Sequence, residues 1–557
     1  MKKTLSLFMV AASISLASAQ PVSTPSWTNA FKAVAEIEDA NKTAPVAITG
    51  NGNVYAAGQF NQMIATDEIF LEPVAQDSYL IKYDKAGKVL WNISLAGAAT
   101  IKAVVADAEE NVYITGTLAD QVTFNTTSGE PIVLEGKKMS DAFTETQDFS
   151  FIAKYDANGV LVDAKTITAE DHPDIAASGL MYFSAGGQVE VSRLALNGDK
   201  VYLSAFYAGK AHFGDLERQA SLVVVSGFLL DDVQHAALVS FSADDLNHAE
   251  LVAEMRPTAA MGSEVAFNTS SFDFALDGDA VYVGAVGLGD LTLETPDGEQ
   301  EFNFAVEAGG VNEYGHVIAR IENGQIQAET YTAPATATTN KKTIDDLMVV
   351  NDVLYVGGVF NDTLAYDNTV FSTNKTDLYV AALDKNSLEL QATWVSGYDE
   401  EENNVNQEVF ANMLMADNII YLNGYREQIS DRVLLNGLSY TIADGNISGG
   451  SREGMITSMD ANNHSMVLAG LDKDGQNTVA YYADVLSSIE GVKGYVTLSA
   501  QRVGDTFYFA EPKDITVYDL QGRALQQEYA ATSVSLENLS QGIYILSDGK
   551  QSLKVLK

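Results

Sequence analysis

The chain has 557 residues, a formal charge of −42 and no cysteine. The missing thiols exclude disulfides, thiolate metal sites and cysteine nucleophiles. The acidity comes with no basic cluster, which argues against nucleic acid as a partner, because phosphate binding needs cations to displace counterions.

The N-terminus reads as a targeting segment. Met1-Lys2-Lys3 is a short positive region, Leu5 to Leu16 is apolar, and Ala17-Ser18-Ala19 places small residues at the −3 and −1 positions of a signal peptidase site. Cleavage after Ala19 makes Gln20 the first mature residue, and losing Lys2 and Lys3 takes the charge from −42 to −44. The apolar stretch is too short for a bilayer, which needs about 20 residues. The most apolar later run, Ser221 to Leu230, is shorter still, so no transmembrane segment is expected in the mature chain. With no cysteine there is no lipoprotein anchor.

From Val46 a pattern recurs: an apolar strand, a tight turn rich in Asn, Asp or Gly, and a second strand carrying a tyrosine. It runs Val46 to Gly58, Ala103 to Gly116, Leu194 to Tyr202, Phe274 to Tyr282, Leu347 to Tyr355 and Met413 to Tyr421, with a weaker copy from Ile456 to Gly470. Asn-Gly and Gly-Asp supply the positive φ that short hairpin turns demand, and the flanking residues suit buried strands. A second hairpin follows most copies, as in Tyr79 to Trp91 and Phe149 to Leu161, with shorter echoes at His316 to Ile321 and Leu378 to Asp384. Two hairpins per repeat make a four-stranded antiparallel sheet, and several such sheets pack radially into a β-propeller. The repeat tyrosines stand 58, 89, 80, 73 and 66 residues apart. The extra length lies between the two hairpins, in loops expected on one rim, where binding surfaces are built. Trp27 and Ala30 to Ala35 look like an outermost strand without its own sheet; joined to Ile456–Gly470 and Thr478–Asp484 they give seven blades, and without that closure six.

Asn53 to Gly58, Asn111 to Gly116 and Tyr79 to Trp91 resemble a bacterial β-propeller repeat family whose consensus runs D-x-x-G-N-x-Y-x-x-G, then F-x-x-K-x-D-x-x-G-x-x-x-W. The resemblance covers the body of the chain and fades in the middle blades. It implies a fold and no common catalytic residues.

Past residue 490 the chain changes character. Gly491 to Lys557 carries seven Lys/Arg and seven Asp/Glu, so the whole acidic surplus precedes it. Short alternating stretches at Thr506–Phe509, Ile515–Tyr518, Ser533–Leu536, Ile543–Leu546 and Leu553–Leu556 read as a small β-sandwich. Three units follow: a signal peptide at 1–19, the propeller at 20–490 and the sandwich at 491–557. Ile515-Thr516-Val517-Tyr518-Asp519-Leu520-Gln521-Gly522-Arg523, then Leu536 to Leu546 with Gly542 and Tyr544, and the closing Lys554-Val555-Leu556-Lys557 resemble the type A C-terminal sorting domain of the Bacteroidetes type IX secretion system. The resemblance implies passage through the outer membrane by that machinery, to the surface or the medium of a Gram-negative bacterium.

Catalytic signatures are absent from the sequence. The six histidines (172, 212, 235, 248, 316, 464) form no H-E-x-x-H and no i, i+4 pair. His316 opens an apolar strand and reads as a core residue. Gly449-Gly450-Ser451-Arg452-Glu453-Gly454 misses G-x-S-x-G by one residue. Asp84 to Trp91 is similar to the tryptophan-docking repeat of quinoproteins and the Asp-box of sialidases, but departs from both in spacing. Calcium is considered at Asp472-Lys473-Asp474-Gly475, which begins like an EF-hand loop; the twelfth position is Ala483, so the bidentate ligand is missing and a tight turn is expected. Asp399-Glu400-Glu401-Glu402 reads as a solvated loop. No catalytic, cofactor or metal residue is assigned. The expected role is a non-catalytic propeller that binds a glycan or an extracellular protein, or serves as a scaffold. The rival is a glycan hydrolase with paired carboxylates at the propeller axis.

Overall fold

The computed structural model describes residues 25–34, 44–136, 149–173, 181–182, 187–225, 229–232, 234–258, 268–304, 314–332, 342–366, 369–397, 406–416, 419–428, 434–443, 445–462, 465–483, 501–503, 506–519, 523–539, 543–547 and 552–556. The chain divides into two compact units, Met1–Ser487 and Ser488–Lys557.

The first unit is a β-propeller. Its described strands form seven four-stranded antiparallel blades, each ordered from the innermost strand outward. Blade 1 is Val46–Ile48, Val54–Phe60, Asp77–Tyr83 and Val89–Ala96. Blade 2 is Ala99–Ala106, Val112–Leu118, Phe149–Tyr155 and Leu161–Glu170. Blade 3 is Gln188–Asn197, Lys200–Ala208, His235–Ser242 and Ala249–Pro257. Blade 4 is Asn268–Asp277, Ala280–Thr295, Gly315–Glu322 and Gln325–Thr332. Blade 5 is Asp346–Val350, Val353–Tyr366, Thr369–Asp384 and Leu390–Val395. Blade 6 is Asn406–Ala416, Ile419–Gln428, Leu434–Ala443 and Asn446–Arg452. Blade 7 is Met455–Ala461, Met466–Leu471 and Asn477–Tyr482, completed by Trp27–Phe31 from the other end of the unit.

Blade 7 joins the two ends. Trp27 pairs with Tyr481 and Phe31 with Asn477, and the Trp27 ring stacks on Tyr481 at 5.4 Å. At the inner end, Ser458 Oγ accepts the Val46 N–H at 3.2 Å and Asp460 Oδ2 accepts the Ile48 N–H at 2.8 Å, which ties blade 7 to blade 1.

Burial is highest in the second and third strands of a blade and falls off in the innermost and outermost ones, as in blade 2, and this explains the sequence pattern. Val54–Phe60 and Val112–Leu118, with neighbours on both faces, are buried at six of seven positions and read as continuous apolar runs. Gln325–Thr332, an outermost strand, is mostly exposed and polar. The Asp-x-x-Gly turns have a specific job. Asp84 Oδ1 accepts the N–H groups of Ala86 and Lys88, and Asp156 Oδ1 those of Asn158 and Val160, at 2.8–3.0 Å. Gly87 and Gly159 then take φ of 84° and 79°, which a side chain disfavours.

The extra length between hairpins does not all go to rim loops as the sequence suggests. In blade 2 the connection after Val112–Leu118 forms a hairpin, Gln121–Phe124 with Ile132–Glu135, that pairs onto the outermost strand of blade 1 through Thr123–Ala96 and Phe124–Leu95. Blade 3 does the same to blade 2 with Lys210–Phe213 and Leu216–Gln219. Blade 4 does it to blade 3 with the outer half of Ala280–Thr295 and Gly298–Phe304. An outermost strand leaves a row of backbone N–H and C=O groups unpaired, so an adjacent hairpin gains hydrogen bonds by covering it.

The described residues of the second unit form a five-stranded sheet of Gln501–Val503, Thr506–Asp519, Ala524–Ser535, Ile543–Ser547 and Ser552–Leu556. The stretches 506–509 and 515–518, read from sequence as separate strands, are one long strand interrupted by irregular register. Phe507, Phe509, Ile515, Val517, Val534, Leu536, Tyr544 and Leu546 form its core.

Candidate functional site

Three constellations inside the propeller carry chemistry, and none was singled out from sequence. The first lies at the axis. Arg193, on the innermost strand of blade 3 beside a bulge, reaches Asp273 of blade 4 and Asp346 of blade 5, with Nη1 2.5 Å from a carboxylate oxygen of each. Only at the axis can one side chain touch blades that are not neighbours. Both carboxylates are also held by backbone: Asp273 Oδ2 accepts the Leu347 N–H and Asp346 Oδ2 the Met413 N–H, each at 2.8 Å. Arg193 Nη2 donates to the Leu347 carbonyl at 3.2 Å. Blades 3, 4, 5 and 6 are thus stapled by one ion cluster. One guanidinium serves two carboxylates here, so burial and the Asp346 charge outweigh Arg193 and push Asp273 up to about 7. The hydrolase alternative needs such carboxylates facing a substrate; these face a cation and two backbone amides.

The second lies in the outer part of blade 3. His235 Nδ1 is 2.5 Å from Glu254, and His235 Nε2 is 3.1 Å from Ser221 Oγ. A serine, an imidazole and a carboxylate in line is the arrangement of a nucleophile and its base. Two contacts divert it. The Ser221 backbone N–H donates to His235 Nε2 at 3.0 Å and takes the single lone pair that the serine proton would need. Glu254 also accepts from the Tyr207 hydroxyl and from Arg218, each at 2.7 Å. Burial works against the Glu254 charge, but His235, Arg218 and Tyr207 together hold its carboxyl below the ordinary range. Arg218 continues to Glu294, and Arg256 joins Glu294 to Glu299. Glu294 belongs to the hairpin that blade 4 lays on blade 3, so this network fastens the hairpin.

The third is a cavity of about 210 Å³ between the outermost strand of blade 6 and the face of blade 7, lined by Arg452, Met455, Ile456, Leu468, Ala480 and Tyr482 among others. Arg452 is half-buried, and among the described residues its guanidinium makes two hydrogen bonds, to the Glu453 carbonyl and Ser439 Oγ, both at 3.5 Å.

The axial and blade 3 groups have one sequence signal in common, a charged residue inside an apolar strand. Arg193 follows Val189 and Val191, Asp273 sits between Phe272 and Phe274, and His235 opens an otherwise apolar strand. Arg452 stands among Gly and Ser and gives no such signal.

The residues assigned from sequence fall as follows. Ala17, Ala19 and Gln20 lie outside the described residues, as do Gly522, Gly542, Lys557, His464 and Asp399 to Glu402. Tyr518 and Asp519 end the long strand of the second unit, where they pair with Ile545 and Tyr544. Tyr544 is buried, Arg523 is exposed before Ala524–Ser535, and Lys554 pairs with Ile545. The sheet therefore brings Tyr518, Asp519, Tyr544 and Lys554 onto adjacent strands. His316 is buried, with Nδ1 2.9 Å from the Tyr366 hydroxyl and its ring stacked on Tyr379; burial pushes its pKa down to about 3. Asp472 closes a tight turn, its Oδ1 accepting the N–H groups of Asp474 and Gln476. Among the described residues no group of three or more acidic or histidine side chains is placed to hold a metal, and no helix is long and apolar enough to cross a membrane.

No family model and no curated protein matches the chain. Among solved structures, the chain is similar to the Dos1 propeller at 10% identity, over 82% of this chain and 95% of that one, with a TM-score of 0.38. It is similar to the β-propeller domain of the trilobed protease from Pyrococcus furiosus at 10% identity, over 79% and 95%, with a TM-score of 0.37. It is also similar to the extracellular domain of a putative one-component system from B. thetaiotaomicron at 8% identity, over 95% and 99%, with a TM-score of 0.18. Likenesses this distant carry no functional argument, so the repeat-family and sorting-domain resemblances stand on their motifs.

Proposed function

We propose that this chain is a secreted or cell-surface propeller that binds a glycan or an extracellular protein, or serves as a scaffold, and catalyses no reaction. The observation that carries this reading is the axial cluster. The carboxylates of Asp273 and Asp346 that a hydrolase would turn toward substrate are ion-paired to Arg193 and hydrogen-bonded to Leu347 and Met413 N–H. The Ser221–His235–Glu254 line supports it in the same way, since its imidazole lone pair is already taken by backbone. The export part rests on the Lys2-Lys3, apolar, Ala17-Ser18-Ala19 N-terminus and on the Tyr518-to-Arg523 and Gly542-Ile543-Tyr544 motifs of the second unit.

A glycan array probed with the mature chain, with and without calcium, tests the binding reading. Selective binding makes the protein lectin-like, and a blank array with folded protein moves the reading to a protein-binding scaffold. Release of reducing ends from any arrayed glycan overturns the non-catalytic reading. Export is tested by truncating the chain after Ser487 in its native host: the product should stop in the periplasm, and its arrival at the surface would remove the sorting role.

A further inference from the structure

The cavity between blades 6 and 7 holds a cation, Arg452, that no carboxylate among the described residues reaches within ion-pair distance. The other arginines among the propeller's described residues each meet a carboxylate: Arg193 has Asp273 and Asp346, Arg218 has Glu254 and Glu294, Arg256 has Glu294 and Glu299, Arg320 has Glu322, and Arg426 lies 3.6 Å from Glu408. Arg452 meets none among the described residues, in a chain with 75 acids. Its two contacts are at the outer limit of a hydrogen bond. Burial disfavours its charge and moves its pKa below the ordinary arginine value. The Tyr482 side chain, which is 7% exposed, lines the same cavity and lies close enough to feel that charge. A half-buried, unpaired guanidinium costs stability.

We propose that this cavity binds a small monocarboxylate with an apolar body, its carboxylate on the Arg452 guanidinium and the Tyr482 hydroxyl. Each part follows from the lining. A guanidinium presents a planar fork of donors that matches a carboxylate. Met455, Ile456, Leu468 and Ala480 form apolar walls for the rest of the molecule. Glu453, Asp472 and Lys473 also line the cavity; Lys473 is paired with Asp474 at 2.7 Å, and the two carboxylates make a dianion such as phosphate or sulfate a poorer fit than a monoanion. About 210 Å³ admits a molecule the size of phenylacetate. The site is independent of the rim surfaces and of export.

The test uses the mature full-length chain and phenylacetate as probe, with phenylacetamide, inorganic phosphate and sulfate as controls, read by calorimetry and by the thermal midpoint. Phenylacetate should bind and raise the midpoint; the neutral amide and the two inorganic anions should not. R452Q should weaken phenylacetate roughly ten- to a hundredfold, the loss expected for a charge-assisted pair, and Y482F by a smaller factor. A480L narrows the cavity without touching the charge and should also weaken binding. Without ligand, R452Q should unfold at the same temperature as the parent chain or higher, because it removes an unpaired cation. Phenylacetate binding that survives R452Q, or equal binding of phosphate, overturns the proposal. So does an R452Q chain that folds but melts lower, since Arg452 would then be a structural residue.

Discussion

Blades 1–3 and blades 4–7 are held together by different means, and their buried acids show it. On the first side, blades 1, 2 and 3 have outermost strands covered by a hairpin from the next blade. There Glu110 and Glu254 meet cations and other donors that outweigh their burial, while Asp77 of blade 1 accepts the backbone N–H groups of Val74, Ala75 and Gly97. Glu110 accepts from Lys82, Asn51 and Asn53 at 2.7–3.0 Å; burial opposes its charge, but these bonds outweigh it and hold the carboxyl down at about 2. Glu254 is held down likewise. On the second side the outermost strands of blades 4 to 6 carry no such hairpin among the described residues, and blades are joined at the inner end by acids bonded to backbone. There burial wins. It pushes Asp273 up to about 7, Glu408 up to about 8 with help from Asp377, and Asp460 up to about 6. The same sheet architecture thus keeps its acids ionised where side-chain cations cross between blades, and drives them toward the neutral form where burial outweighs the cations and amides that receive them.

The largest effect should come from the residue that bridges the two sides. Arg193→Met leaves Asp273 and Asp346 buried without a cation and should cost about 3–5 kcal/mol of unfolding free energy in urea. Adding Asp273→Asn and Asp346→Asn should recover part of that loss. If the triple variant is as damaged as the single one, packing rather than charge is what Arg193 supplies. The interleaved hairpins come next. Phe124 is fully buried, 5.0 Å from the Phe151 ring, and Phe124→Ala should cost about 3 kcal/mol. It should also speed amide exchange in Val89–Ala96, the strand its hairpin covers, and leave Gln325–Thr332 of blade 4 unchanged. Uniform acceleration across both strands would mean that the hairpins are not local staples.

How far the sequence could carry this comparison depended on burial and range. The second strands of the blades were legible because burial on both faces makes them continuous apolar runs, and the Asp-x-x-Gly turns because one carboxylate caps two amides locally. Trp27 as an unpaired outermost strand was legible from alternation and from its place ahead of the first repeat. The hairpins that cross blades were not. Gln121–Phe124 and Ile132–Glu135 are short and half-exposed, and what fixes them is the open edge of another blade, which local pattern does not report. The candidate sites were hidden for the same reason. Arg193 lies 80 residues from Asp273 and 153 from Asp346, and nothing near any of the three names its partners. Arg452 is visible only through the cavity beside it.

The acid contrast predicts two separate pH limbs. A carboxyl raised in the folded state binds its proton more tightly there than when unfolded. Between the ordinary value near 4 and the raised value, the folded chain therefore carries more protons, and stability falls as pH rises. Asp273, Asp460 and Glu408 place this limb between about pH 4 and 8. Glu110 has the opposite sign: its contribution is present above pH 4.5 and lost as pH falls toward about 2. The urea midpoint should therefore decline from pH 5 to 8, and Asp460→Asn should flatten part of that decline. A midpoint rising over that range would mean that the inner acids are ionised in the folded state.

The smallest effects should distinguish two of the lysines that cross blades on the first side, those that sit over a repeat tyrosine. Lys82 and Lys154 occupy the same repeat position, each over the repeat tyrosine, at 5.0 Å from the Tyr55 ring and 5.2 Å from the Tyr113 ring. Each also donates to a turn carbonyl of the following blade, Ala157 and Ala243, at 2.9 and 2.8 Å. Among the described residues, of the two only Lys82 adds a carboxylate, Glu110 at 2.7 Å. Lys154→Met should cost about 1 kcal/mol, the worth of one hydrogen bond and a cation–π contact. Lys82→Met should cost about 2 kcal/mol, because it also strips Glu110 of its cation and lets that carboxyl rise. The difference should shrink as pH falls below about 4 and vanish below about pH 2, where Glu110 is protonated in both chains. Equal costs at neutral pH would mean that the Lys82–Glu110 pair contributes nothing net, and that the repeat retains its lysine for the carbonyl alone.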